Sequence, residues 1–137
     1  MTNISFVSDS LELYLDLLEI DPNDPKSLKW RVKAKIFHPT GEFVYSADDI
    51  WLDTEMWDVF LKALKNNLQE PAMFCDQSQY FQFSLKRDSN RINTRIQIAE
   101  PLPLSGQINH TADFDENVDS PFYRKLNESF GSFAKFW

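Results

Sequence analysis

The chain is poor in the residues that most small-site chemistry is built from. It has a single cysteine, Cys75, so no intrachain disulfide can form, and a cytoplasmic, reducing home is expected. Its three glycines are scattered, and no glycine-rich loop is available to cradle a phosphate. Two histidines, His38 beside a proline and His110 in an acidic stretch, have no second histidine or cysteine at a metal-ligand spacing. No apolar run approaches the roughly 20 residues that a membrane helix requires. The first residues lack the basic start and apolar centre of a secretory leader. Positive charge is also scarce: 14 Lys and Arg face 21 Asp and Glu, a net charge of −7 that argues against direct contact with nucleic acid. No metal, cofactor, membrane contact or catalytic constellation is therefore expected. Asp48, Asp49 and Asp53 lack the twelve-residue, glycine-bearing loop of a calcium site.

Aromatic residues are what the chain has in quantity. Twelve Phe, four Trp and four Tyr make 15% of 137 residues, in a composition that is 42% hydrophobic. This is a length and a composition for one domain, residues 1–137, with a core of its own.

Periodicity supplies the architecture. Leu28 to His38 alternates without a break, with Lys29, Arg31, Lys33 and Lys35 on one side and Leu28, Trp30, Val32, Ala34 and Ile36 on the other. A period of two is that of a half-buried strand. Leu11 to Ile20 alternates likewise, and Asp21 to Ser27, with two prolines, breaks the chain between them. Antiparallel pairing of these two would set Glu12 and Asp16 on the solvent face with the basic stripe, a charge-paired surface. His38 to Gly41 is a turn in which Gly41 is free to take positive φ, and Glu42 to Ala47 is a third strand.

Trp57, Phe60, Leu61, Leu64 and Leu68 recur at helical spacing behind Asp53, an N-cap, and Glu55, an acid in the positive first turn. A hairpin is expected from about 79 to 99, turning at Asp88-Ser-Asn90 and ending at Glu100-Pro-Leu-Pro103. Residues 104–119 show no period and read as an acidic surface loop. Ser120-Pro121 opens a second helix with a capping hydroxyl, continued by Phe122, Leu126, Phe130 and Phe133. The expected class is α+β: a mainly antiparallel sheet of five or six strands, packed by a central helix (about 54–68) and a C-terminal helix (about 121–135). Cys75 reads as a buried free thiol.

One order of elements carries a resemblance. It runs from an alternating strand with Trp30, through a Gly41 turn and a strand with Tyr45, to an Asp53-Thr54 entry into a Trp57-x-x-Phe60-Leu61-x-x-Leu64 helix, then a Phe/Tyr-rich hairpin. Over residues 28–100, just over half the chain, this resembles the WapI-type immunity proteins, small domains found beside polymorphic contact-dependent toxins in bacteria. The long acidic segment before the last helix and the Phe-rich terminus depart from that pattern. The resemblance implies a cytoplasmic antidote, not an enzyme, that covers the active surface of a cognate toxin domain such as a basic nuclease. Two acidic sets would supply the toxin-binding surface: Asp48, Asp49, Asp53, Glu55 and Asp58 around the first helix start, and Asp113, Asp115, Glu116 and Asp119 before the second. The plain reading of both is solvated caps and loop. Two other functions stay open, a scaffold that self-associates through the C-terminal aromatics as a homodimer, and a small-molecule binder or enzyme working in a cleft.

Overall fold

The computed structural model of the protein describes residues 3–98, 110–133 and 135–137. Among these residues, eight strands form two four-stranded antiparallel sheets, each a simple meander, in the orders β1-β2-β3-β4 and β5-β6-β7-β8. The first contains β1 (Asn3–Val7), β2 (Leu11–Ile20), β3 (Ser27–His38) and β4 (Gly41–Asp53). Helix α1 (Thr54–Lys65) then leads to β5 (Ala72–Cys75), β6 (Phe81–Asp88), β7 (Arg91–Ile98) and β8 (His110–Asn117), and α2 (Pro121–Gly131) follows. The α+β class holds, but among the described residues the strands number eight in two sheets, where five or six in one were expected. Two were invisible to periodicity. β1 is five residues long, and β8 exposes one face and half-covers the other, so it shows no apolar stripe.

Alternation does its work where it was strongest. Leu11, Leu13 and Leu15 of β2 and Trp30, Val32 and Ala34 of β3 are buried, and the register sets Leu13 opposite Ala34 and Leu15 opposite Val32. The same register pairs Glu12 with Lys35 and Asp16 with Arg31 on the solvent side. The ion pairs that close are different ones, Lys35–Glu42 at 3.3 Å and Lys29 with Glu19 and Asp49 at 4.0 and 3.6 Å. β4 runs on past Ala47 to Asp53, and Ile50 and Leu52 return to the core. Gly41 does not take the left-handed conformation, and a Cβ there would meet nothing within 4 Å, so this turn does not depend on glycine.

Both helices pack against the inner sides of the two sheets. Trp57 of α1 stacks on Trp30 of β3 and also meets Phe74 of β5, Phe130 of α2 and Phe133. Phe60, one turn on, contacts Phe74, Phe83 and Phe130. Phe122 of α2 bridges Phe6 of β1 and Phe114 of β8. Most of the aromatic surplus is thus one contiguous core. Full burial of such a side chain stabilises by roughly 1.5–3 kcal/mol. The Phe-rich C-terminus is largely spent there, and Phe136 is left half exposed.

The helix limits differ from expectation. α1 stops at Lys65, and Asn67 and Leu68 both take φ of 56°, a left-handed reversal closed by the Leu68 N–H donating to the Ala63 carbonyl. Leu68 is buried as its spacing implied, but it arrives by that reversal and not by a further helical turn. The Tyr123 hydroxyl and the Asn127 amide of α2 donate to the Leu64 carbonyl, satisfying one of the acceptors that a helix end leaves open. α2 ends at Gly131, short of 135, and Ser120 makes no side-chain cap: its Oγ is buried without a partner among the described residues. The hairpin is β6–β7, joined at Ser89-Asn90, with Ser89 at φ 58°. Its expected end at Ala99 and Glu100 to Pro103 lies outside the described residues.

Candidate functional site

The β2–β3 turn and the β4–α1 junction come together at one end of the first sheet. Glu19 pairs with Lys29, Lys29 with Trp51, and Ser27 with Asp53, so three strands present their ends side by side. The Thr54 N–H donates to the Lys26 carbonyl at 2.8 Å, which fixes the turn against the helix start. From the β5–β6 loop, the Gln77 N–H donates to the Trp51 carbonyl and its side-chain amide to Ser27 Oγ, both within 2.9 Å. The platform is therefore built on regular elements and held from behind.

Carboxylates crowd that end. Glu19, Asp21, Asp24, Asp49, Asp53 and Glu55 stand there against Lys26 and Lys29, and Asp48 lies next to Asp49. Asp48 and Asp49 are exposed because β4 carries a bulge: Trp30 pairs with Ile50 but Val32 with Ala47, so extra residues project from this edge strand. Asp53 caps α1 as expected, accepting the Glu55 N–H at 2.7 Å. Glu55 meets Lys26 at 3.2 Å with both side chains mostly exposed, a pair readily exchanged for a partner's cation.

At the centre is Trp51, half-buried on the solvent side. Its Nε1–H donates to Asp49 Oδ1 at 3.1 Å, and the Lys29 ammonium lies over its ring, 5.8 Å from the centroid. A large apolar surface with a polar handle, ringed by charge, is the composition of an interface anchor. Leu18 and Ile20, 41% and 43% exposed, lie on the adjoining end of β2, where the register slips between Leu17 and Glu19.

Sequence reading missed Glu19, Asp21, Asp24 and Trp51. The first three were visible only as a strand end and a turn. Pairing β2 with β3 and β3 with β4 in register brings Glu19 and the turn that follows it to the same sheet end as Asp49 and Asp53.

The remaining acidic residues have other employment. Asp58 accepts from Lys135 Nζ and Trp137 Nε1, each at 2.8 Å, and the Lys135 hydrogen bond holds its carboxyl below the usual range. The segment holding Asp113, Asp115 and Glu116 is strand β8, not a loop. Asp113 accepts from the Asn93 amide and from Arg95 Nη2 at 2.7 Å, and the Asn93 bond first, then Arg95, depresses its carboxyl. Asp115 accepts from Asn93 at 3.1 Å. Glu116 turns to the other face and accepts from Ser10 Oγ, joining β8 to the first sheet. Asp119 is exposed in the turn before α2. Asp113, Asp115 and Glu116 thus pin an edge strand in place.

His38 bonds Thr40 across the first hairpin turn, and the His110 ring lies 5.0 Å from Phe43. Cys75 is half-buried, and burial, followed by the nearby Asp76 charge, pushes its thiol pKa up, away from nucleophilic use. Among the described residues, no three His, Cys, Asp or Glu side chains gather as metal ligands, and no helix is long and apolar enough to cross a membrane. No family model, no curated protein and no solved structure matches the chain.

Proposed function

We propose that this protein is a non-catalytic, immunity-type binding protein that covers a basic surface of a cognate toxin domain. The docking surface is the carboxylate-rich end of the first sheet: Trp51 is its anchor, and Asp48, Asp49 and Glu55 are its charged rim. The observation that carries the reading is the gathering of seven carboxylates from β2, β4, the β2–β3 turn and α1 at the end of the sheet that carries the half-buried Trp51. The immunity-type part of the reading rests on the sequence resemblance to WapI-type immunity domains over residues 28–100. Negative potential concentrated there raises the encounter rate with a cationic partner, and the indole supplies buried apolar area once docked.

The reading expects a toxin gene adjacent to this one, and the test pairs the protein with the domain such a gene encodes. Asp48→Ala/Asp49→Ala should slow association several-fold at low salt, with the difference shrinking as salt rises. Trp51→Ala should instead speed dissociation, with a loss of about 2 kcal/mol or more. Growth protection and association kinetics left untouched by all three substitutions, in folded variants, would exclude this surface.

A further inference from the structure

On the outer side of the second sheet, far along the chain from the acidic end, β5, β6 and β7 form a groove of about 590 Å³. A groove of this size lies within the usual range for small ligands. Lys86, Arg91 and Arg95 all open into it, in a chain with only 14 Lys and Arg. Cross-strand register explains the grouping. Lys86 pairs with Asn93 and Ser84 with Arg95, and Arg91 lies two residues before Asn93 on the same face. Lys86 thus lies diagonal to both arginines, which flank Asn93 on β7, and Asp88 faces Arg91 across the ladder. Neighbours on this lattice, directly opposite or diagonal, lie within reach of long side chains.

One wall is set in advance. Arg95 spends Nε and one Nη2 hydrogen on Asp113, which leaves further N–H donors of its guanidinium for a ligand. Asn93 is held by Asp113 and Asp115. The carboxylates that orient this wall come from β8, behind it. Among the described residues, neither Lys86 nor Arg91 has a carboxylate within 4.0 Å. Asp88 and Asp115 line the groove too, and they oppose a bare anion while leaving acceptors for ligand hydroxyls. The opposite wall is Pro71 and Met73, and the floor carries the Ser84 hydroxyl and the Gln82 amide.

We infer that this groove binds a small hydroxylated organic phosphate, of the sugar-phosphate class. The phosphate sits among Lys86, Arg91 and Arg95, and the hydroxylated body lies over Ser84 and Gln82 against Met73. Arginine and lysine together suit a tetrahedral oxyanion, the guanidinium through paired N–H donors and the ammonium as a point charge. The floor of amide and hydroxyl groups suits a body rich in hydroxyls better than an apolar one.

Titration of the full chain with glucose 6-phosphate, followed by amide ¹H–¹⁵N shifts, tests this. Saturable shifts should map to Ser84, Lys86, Asn93 and Arg95, with a dissociation constant of about 1 mM or below. Glucose alone should produce none. Lys86→Gln/Arg91→Gln should weaken binding at least about tenfold, as loss of two charge-assisted contacts requires. Arg31→Gln/Lys33→Gln, an identical charge change on the first sheet, should leave it unchanged. Glucose binding as well as its phosphate, shifts that do not saturate, or equal weakening by both double variants would each overturn the proposal. The assay is independent of the docking surface around Trp51, so the two readings stand or fall separately.

Discussion

Trp30 of β3 and Trp57 of α1 lie face to face, their ring centroids 5.0 Å apart and their planes within 16° of parallel. Both are essentially fully buried, and neither indole N–H has a partner among the described residues. The pair ties the first sheet to the helix through which the second is reached. Its stabilisation is therefore apolar contact and stacking, not hydrogen bonding.

Truncation of that pair should be severe. Trp57→Ala should cost about 3–5 kcal/mol, the range for a large aromatic removed from a core that only partly collapses. Trp57→Phe should cost much less, since it keeps most of the apolar volume and removes an unsatisfied donor. Urea denaturation followed by far-UV circular dichroism measures both. An alanine variant as stable as the parent would mean that the aromatic cluster is not the core.

Asp76 is a buried carboxylate that accepts the Phe81 N–H at 2.8 Å and so closes the β5–β6 loop. Asp76→Ala should cost about 1–3 kcal/mol, because it strands that buried N–H. Asp76→Asn keeps an acceptor in place and should cost clearly less. Equal losses in the two denaturation midpoints would show that the hydrogen bond is not what Asp76 contributes.

The Asp58–Lys135–Trp137 contact should show itself through pH. Its hydrogen bonds lower the folded-state pKa of Asp58 below the ordinary value near 3.8. A depressed carboxyl pKa adds stability that is fully present above the unfolded value and is lost as pH falls through the folded one. Both side chains of the ion pair are about 40% exposed, which limits its contribution to about 1 kcal/mol. Asp58→Asn should therefore be slightly less stable than the parent at pH 7, with the gap closing as pH falls below 3.8 through the depressed folded-state pKa. A gap in melting temperature that widens on acidification would contradict the assignment.

Cys75 should react slowly. Its thiol pKa is raised, first by burial and then by the Asp76 charge, so little thiolate is present near neutrality. Iodoacetamide at pH 7.5 should label the folded chain at least about tenfold more slowly than the urea-unfolded chain. Equal rates would mean that the thiol is neither shielded nor perturbed.

Asp113 and Asp49 should separate by function. Asp113→Ala removes the Arg95 and Asn93 contacts of β8 and should lower hydrogen-exchange protection of that edge strand by about tenfold or less. Partner association should not change. Asp49→Ala should do the reverse. A shared effect on association would merge the two acidic sets into one surface.

Local pattern made much of the fold readable. β2, β3, the β6–β7 hairpin and the apolar face of α1 were legible because one side of each is buried and the other solvated, so period alone reports them. The Asp53 cap was legible because it is a contact made within two residues. β8 was not, since its apolar face is only half-covered and Asp113 and Asp115 are held by Asn93 and Arg95, some 20 residues away in sequence. Of the candidate site, Asp48, Asp49, Asp53 and Glu55 could be named from the chain, but not their company.

Composition and periodicity by themselves determined an acidic, aromatic-cored α+β protein whose strongest strands and helix face are where their side chains alternate. Tertiary structure alone decided that the strands divide into two sheets, that Glu19 and Asp49 share Lys29 beside Trp51, and that Lys86, Arg91 and Arg95 share a groove. Burial of one face is a short-range constraint, written wherever polar and apolar residues alternate. Which charged residues become neighbours depends on strand register and bulges, and register is settled only when whole elements pack.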